Sequence, residues 1–380
     1  MKSQVYLDYA ATSPLLSEVK AAMIDAMDRS YGNASALHST GHDATQAIES
    51  ARIAVARLIN ADPAEIIFTS GGSEANNTVA ETFRDRVVAM SAVEHPSVTE
   101  SMRARARSCK VIPVDKVGRV NPENVPTDVD LVSIMLANNE LGTIEPVAEI
   151  VKRCKKYNMF VHTDATQAIG KIKVDVKALG VDYLTLSAHK IGGPIGIGAL
   201  YVRQGAPYKP LILGGHQEKR RRAGTSNTLG IVGLGAAMQY AWDNWTCKTF
   251  SNQVRELRDR LRDGILQTVP YSSCNSPKEE CLPNILNMSF RAAEGESIQL
   301  YLDAEGIMVS TGSACAAGDI KPSHVLMATA GDAEIAHSSI RFSLGLDTTE
   351  ADIKRVLAIL PDIIKRLQGI STIKVEEQYD

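Results

Sequence analysis

The chain has 380 residues, 44% hydrophobic and 22% charged, with 41 Lys and Arg against 44 Asp and Glu for a net charge of −3. That length exceeds what one compact core usually organises, so a large domain with a smaller one folded against it is expected, and the composition excludes a disordered chain. The near balance of charge excludes a surface-wide field for nucleic acid or anionic membrane, and no apolar run approaches the roughly 18 residues of a membrane span.

Met1-Lys2-Ser3-Gln4 leads directly into a short strand-like segment with no apolar leader, which points to a cytoplasmic protein. Ala44, Ala47, Ile48, Ala51, Val55, Leu58 and Ile59 then recur at the spacing of an amphipathic helix. From about residue 44 to 245 such helical patterns alternate with apolar, β-branched runs. Ile66–Thr69, Val87–Met90, Lys110–Val114, Leu131–Met135, Phe160–Thr163, Tyr183–Leu186 and Ala199–Val202 predict a mainly parallel seven-stranded sheet. Past a helical stretch over 250–268 the pattern changes to a strand at Ile285–Phe290, a helix over Ser297–Glu305, and strands near Ile307 and Ile340. A last helix starts near Thr349, where Thr349 and Asp352 have capping-box spacing, and runs through Ile353, Val356, Leu357, Leu360 and Ile364. The expected organisation is an α/β large domain over 16–255, with 1–15 and 256–380 forming a smaller α+β domain.

Six cysteines lack any Cys-x-x-Cys spacing, so neither a zinc site nor a disulfide framework is predicted. Cys154, between Arg153 and Lys155, reads as a packing residue; Cys109, Cys247, Cys274 and Cys281 carry no distinguishing context. Lys219-Arg220-Arg221-Arg222 reads as a solvated loop face or a phosphate contact near a cofactor, with a docking patch for an acidic partner as the alternative.

Five elements carry chemistry. Ser187-Ala188-His189-Lys190 ends a strand and enters a Gly-rich turn, a place from which Lys190 can reach a bound cofactor as a Schiff-base lysine. A lone lysine there is usually a surface charge, and its companions overturn that reading. Asp164 ends the preceding strand, where a carboxylate can keep a pyridine nitrogen protonated. Thr69-Ser70-Gly71-Gly72-Ser73-Glu74 turns a strand through two glycines into a helix N-terminus suited to a phosphate. His95, in Val93-Glu94-His95-Pro96, is either an ordinary loop histidine or a flat ring that stacks on an aromatic cofactor; no second ligand stands at metal spacing. Ser310 to Gly318 is a run of small residues around Cys315, in the manner of a pliable loop that carries a thiol.

With these elements in this order the chain resembles the cysteine desulfurases of the NifS/IscS-like group, pyridoxal 5′-phosphate (PLP) enzymes of fold type I. The resemblance runs nearly end to end, from Tyr6-Leu7-Asp8-Tyr9-Ala10-Ala11-Thr12 to Ala336-His337-Ser338-Ser339-Ile340-Arg341-Phe342-Ser343-Leu344-Gly345. It departs at Asn33-Ala34, where the family has Asn-Pro, and at Gly72-Ser73, where Ala-Thr is more usual.

The resemblance implies that Lys190 binds PLP, Asp164 pairs with the ring nitrogen, His95 stacks on the ring and Gln167 bonds its hydroxyl. Gly72, Ser73, Ser187 and His189 would hold the phosphate, joined by Thr225 of the neighbouring subunit in a homodimer. Arg341, helped by Asn139, would grip the carboxylate of L-cysteine, and Cys315 would take its sulfur as a persulfide for an acceptor protein, leaving L-alanine. His95 is a candidate proton acceptor for a thiol. An aminotransferase, a selenocysteine lyase or another β-eliminating lyase would share Lys190 and Asp164, and a non-catalytic scaffold would share the fold. Cys315 discriminates among them. The chain stops soon after its last helix, without the longer tail by which housekeeping iron–sulfur enzymes dock their scaffold, which counts against iron–sulfur assembly as the destination and leaves tRNA thiolation and DNA phosphorothioation beside it as candidates. In the last, a partner protein would touch the DNA.

Overall fold

The structure, a computed structural model, describes residues 4–245, 249–311 and 322–371. Its strands are β1 (Val5–Tyr6), β2 (Ile66–Thr69), β3 (Val87–Ser91), β4 (Ser108–Ile112), β5 (Leu131–Ser133), β6 (Phe160–Asp164), β7 (Tyr183–Ser187), β8 (Gly198–Val202), β9 (Ser272–Cys274), β10 (Ile285–Phe290), β11 (Ile307–Met308) and β12 (Ser339–Ser343). Seven of them form one sheet in the order β2-β8-β7-β6-β5-β3-β4. All of its pairings are parallel except those of β8, which runs against both β2 and β7. A buried run reads the same in either direction, so its sequence did not disclose that reversal.

The sheet is covered on both faces, which is why its strands are nearly continuous apolar runs. Phe68, Ala89, Val132, Leu184 and Ala199 face a core shared with Ile48, Val55 and Ile59 of helix Ser39–Ile59. Their neighbours Ile67, Val88, Leu131, Tyr183 and Leu200 face a second layer with Val79 and Phe83. The alternation is the period of two that a pleated strand imposes. β4 starts and stops two residues earlier than the run Lys110–Val114 suggested; Pro113 has no N–H to give the ladder, so pairing stops at Ile112.

A separate core gathers Leu261 and Ile265 of helix Thr249–Thr268, Leu286, Met288 and Phe290 of β10, and Val356, Leu360 and Ile364 of helix Glu350–Ile370. β10 lies between β12 and β9 in a three-stranded antiparallel sheet. The last helix begins with the expected reciprocal cap between Thr349 and Asp352. Val5 and Leu7 also belong to this core, with β1 pairing in parallel with β11. Six residues after Leu7 the same segment reaches the large sheet, where the Ser13 N–H donates to the His189 carbonyl at 2.8 Å.

The basic run after the large sheet is not a uniform charged face. Arg221 donates to the carbonyls of Ala64 and Ile66, and Arg222 forms a two-armed pair with Glu74 at 2.9 and 3.1 Å. Glu218, just before the run, receives both Nη atoms of Arg52 at 2.8 Å, with both side chains more than nine-tenths buried. Only Lys219 and Arg220 are left facing solvent. Removing one partner of a buried ion pair costs about 3–5 kcal/mol because the other charge is left uncompensated. Arg52→Met should therefore lower the denaturant midpoint sharply, whereas Arg52→Met/Glu218→Met should recover a large part of the loss; equal losses would show that the pair is not the anchor.

Candidate active site

The C-terminal ends of β2, β3, β5, β6 and β7 lie along one edge of the large sheet, and each is followed by a chemically distinctive residue. At β2 the chain turns at Gly71 (φ 152°), a left-handed conformation that side chains avoid, into helix Gly72–Thr82. β3 leads to Glu94 and His95, β5 to Asn139, β6 ends on Asp164, and β7 ends on Ser187 before one tight turn delivers Lys190. Gly72, His95, Asn139, Asp164, Ser187 and Lys190, together with Ala10, Ala11, Ser73, Thr166, Gln167, His189 and Arg341, line a cavity of about 330 Å³.

Lys190 Nζ donates to the carbonyls of Ala10 and Ala11 at 2.7 and 2.6 Å. Asp164 is buried and accepts from Asn76 Nδ2 at 2.8 Å and from the Thr166 amide at 2.9 Å. Asn76 Nδ2 also donates to Ser97 Oγ at 2.8 Å, and Ser97 Oγ lies 2.8 Å from His95 Nδ1. Since the Ser97 amide donates to that same Nδ1, the ring proton belongs on Nε2. Burial pushes the imidazole of His95 below its ordinary range, with the charges of Lys190 and His324 adding to the shift against that of Asp164. His95 is thus a neutral ring whose tautomer is fixed through a chain that begins at Asp164. Asn76 and Ser97, the middle of that chain, were not singled out from sequence.

Gln167 donates from Nε2 to the Ala10 carbonyl at 2.9 Å. His189 lies with Nδ1 3.3 Å from Thr12 Oγ1, and burial followed by the charges of Lys190 and Lys171 pushes it down to about 4. Arg341 is buried; Nη1 donates to the Asn139 carbonyl at 3.0 Å and Nη2 to Asp8 Oδ1 at 2.8 Å. Among the described residues neither its buried Nε nor Thr166 Oγ1 on the cavity wall has a hydrogen-bond partner. A buried donor and a buried hydroxyl without partners are unusual and mark places where a bound molecule would make up the difference.

The cavity combines a helix N-terminus for an anion, an amine, a carboxylate and a neutral histidine for a flat ring, and a guanidinium for a carboxylate. Thr225 is not part of it: it lines a separate cavity of about 200 Å³ with Thr69, Ser70, Gly196 and Arg222. Cys315 and Cys247 lie outside the described residues, and Thr311 is the last described residue before the former. Ser310, one residue earlier, exchanges two backbone hydrogen bonds with Arg341 at 2.7 and 3.2 Å. Cys154 is fully buried against the large core, as its helical context indicated.

Glu94 underpins the edge. Its Oε1 accepts from Ser91 Oγ at 2.6 Å and the Met135 amide at 2.7 Å, tying the ends of β3 and β5 together, and burial pushes its carboxyl up to about 8. A carboxyl with a raised folded-state pKa favours the native state most while protonated, so its contribution is complete below 4.5 and is lost as pH rises through about 8. In Glu94→Gln the decline of unfolding midpoint with pH across that window should be shallower than in wild type. An unchanged slope would show that Glu94 is not the group that titrates.

Comparison with known proteins gives a consistent result. The class-V aminotransferase family profile matches residues 5–356. The chain is 44% identical to a cysteine desulfurase IscS of Dictyoglomus turgidum, covering 99% of this chain and 98% of that one. Identity to a cysteine desulfurase IscS of Methanosarcina thermophila is 40%, covering 98% and 95%. Among solved structures, a NifS-like protein superposes with a TM-score of 0.88 at 38% identity over 96% of this chain and all of that one. A structure described as SspA in complex with cysteine superposes with a TM-score of 0.78 at 32% identity, over 90% and 99%.

Proposed function

The chain belongs to the class-V aminotransferases and, within them, to the cysteine desulfurases, and from that premise we propose that it uses PLP to move sulfur from L-cysteine to Cys315. The observation that carries this reading is the position of Lys190, an amine in a cavity that also holds Asp164, His95, Gln167 and Arg341. The cavity fits the cofactor: Gly72 and Ser73 offer amides at a helix N-terminus, Thr166 Oγ1 is a buried hydroxyl without a partner, and Asp164 is held as an acceptor by Asn76 and Thr166. Lys190 would hold PLP covalently, Asp164 its ring nitrogen, Gln167 its hydroxyl, and Gly72, Ser73, Ser187 and His189 its phosphate. When bound, PLP supplies a ring that withdraws charge from the substrate α-carbon.

The chain's own groups do the rest. Arg341, with an unspent buried Nε and aided by Asn139, would grip the substrate carboxylate. Lys190 Nζ would carry the proton away from the α-carbon and return one. His95, neutral at ordinary pH, can accept a thiol proton through its ring. The Cys315 thiolate would attack the substrate sulfur, so that an S–S bond forms, the C–S bond breaks with its electron pair on carbon, a proton completes L-alanine, and a persulfide stays on Cys315.

A homodimer is supported by the exposed Leu37, Ile195 and Leu213 and by Thr225 standing outside the cavity of its own chain, where it can complete a neighbour's phosphate site. We assign residues 16–255 to a large PLP domain and 1–15 with 256–380 to a small domain, in a cytoplasmic protein that passes its sulfur to an acceptor protein. The described helices include none long and apolar enough to cross a membrane.

Incubated with PLP and L-cysteine, the protein should yield alanine and persulfide sulfur. Lys190→Ala should slow alanine formation by about 10²–10⁴-fold, and Cys315→Ser should lose persulfide while keeping the visible absorbance of bound PLP. A wild type that binds PLP and forms neither product sinks the proposal.

A further inference from the structure

Lys171 is buried at 8% exposure, one turn past Gln167, and no carboxylate is paired with it among the described residues. Its hydrogen bond among them runs from Nζ to Gln167 Oε1 at 3.2 Å. Burial, and then the charges of Lys190 and Arg341, push its ammonium down to about 7. A buried cation without a counter-charge costs stability that a methionine of similar length would not, so packing does not account for it. Its side chain also lines a cavity of about 40 Å³ with Asp347 and Asn284, and the buried Asn284 Oδ1 accepts no hydrogen bond from the described residues. A bridging water there would satisfy both groups.

We infer that Lys171 is a positioning residue that fixes the orientation of the Gln167 amide toward the cofactor cavity, an inference that rests on the PLP reading above. The two ends of a glutamine amide have nearly the same shape, so its hydrogen-bond partners decide which end points where. While protonated, below about 7, the Lys171 ammonium can only donate, and it engages Oε1; the Ala10 carbonyl can only accept, and it engages Nε2. Flipping the amide would set oxygen against oxygen and donor against donor. The amide is therefore latched at both ends, and Nε2 keeps its second hydrogen for an acceptor in the cavity that Gln167 lines. Because Ala10 O also accepts from Lys190 Nζ, its hold on Gln167 is shared with a group that moves protons, and Lys171 supplies the latch independent of that group.

The test uses the full chain with ¹⁵N-labelled glutamine, the Gln167 side-chain signals being identified by their loss in Gln167→Leu. In protein free of PLP at about pH 6, where Lys171 is protonated, Lys171→Met should shift the Gln167 Nε2 signals and speed their hydrogen exchange about two- to tenfold, the size expected for one hydrogen bond. Lys171→Arg, which keeps a donor, should restore them. With PLP added, Lys171→Met should weaken cofactor binding and move the pH midpoint of the visible band, Lys171→Arg should recover both, and neither effect should appear in a Gln167→Leu background. Unchanged Gln167 signals in Lys171→Met overturn the inference. So does an effect on PLP that persists at full size in Gln167→Leu, since Lys171 would then act by another route. Responsive Gln167 signals in a wild type that takes up no PLP support the latch and overturn the functional reading.

Discussion

The carbonyl oxygen of Ala10 accepts hydrogen bonds from Lys190 Nζ and Gln167 Nε2, and the geometry of the cavity depends on that double contact. Ala10 can hold this place because the segment before it is anchored elsewhere: Val5 and Leu7 are buried in the second core, Asp8 is paired with Arg341, and the Ala10 amide donates to Ser343 Oγ at 2.9 Å. Ser13 and Leu16 then bond to the carbonyls of His189 and Gly192, on either side of the lysine. A dozen residues thus join two hydrophobic cores and set the position of the amine between them. Gly345 takes part by lacking a side chain, since a Cβ there would meet the Tyr9 ring at 2.0 Å.

Electrostatics divides the same space. Lys171, Lys190 and Arg341 bring cationic character to the surroundings of the cavity, while among the described residues Asp164 and Asp8 bring carboxylates to its hydrogen-bond chains. Neutral groups sit between them: His95 and His189 are both held below their ordinary range by burial, so the imidazoles add no further positive charge at ordinary pH. With the N-terminus of helix Gly72–Thr82 as one anion site and the Arg341 guanidinium as another, this arrangement favours a ligand that carries two anionic groups. The carboxyls of Glu94, Glu140 and Glu145 are buried and each pushed up by that burial, so they carry no opposing charge while they are protonated.

Much of this was legible in the sequence because strand ends in an α/β sheet are where ligands bind, and Asp164, Lys190 and His95 each follow an unmistakable strand. The seven runs were identifiable from hydrophobicity alone, and the Thr349–Asp352 cap from spacing. Direction and register were harder. β8 carries no mark of its reversal, and the end of β4 was set by the missing N–H of Pro113. Asn76 and Ser97 were invisible because their importance arises from a contact between two helices 21 positions apart. The charges of Arg221 and Arg222 looked equivalent to those of Lys219 and Arg220 until their partners Ile66 and Glu74, about 150 residues away, were in view.

That basic stretch also has an uncommon backbone. Glu218, Lys219 and Arg220 follow one another with φ of 47°, 55° and 68°, a left-handed turn of non-glycine residues that costs about 1–2 kcal/mol each. The buried Arg52–Glu218 pair and the Arg222–Glu74 pair, at either end of the turn, offset that cost within a single chain. Thr225 follows directly. A loop fixed in this way within its own chain has little conformational freedom left to lose, so ordering it would cost any surface that met it little chain entropy.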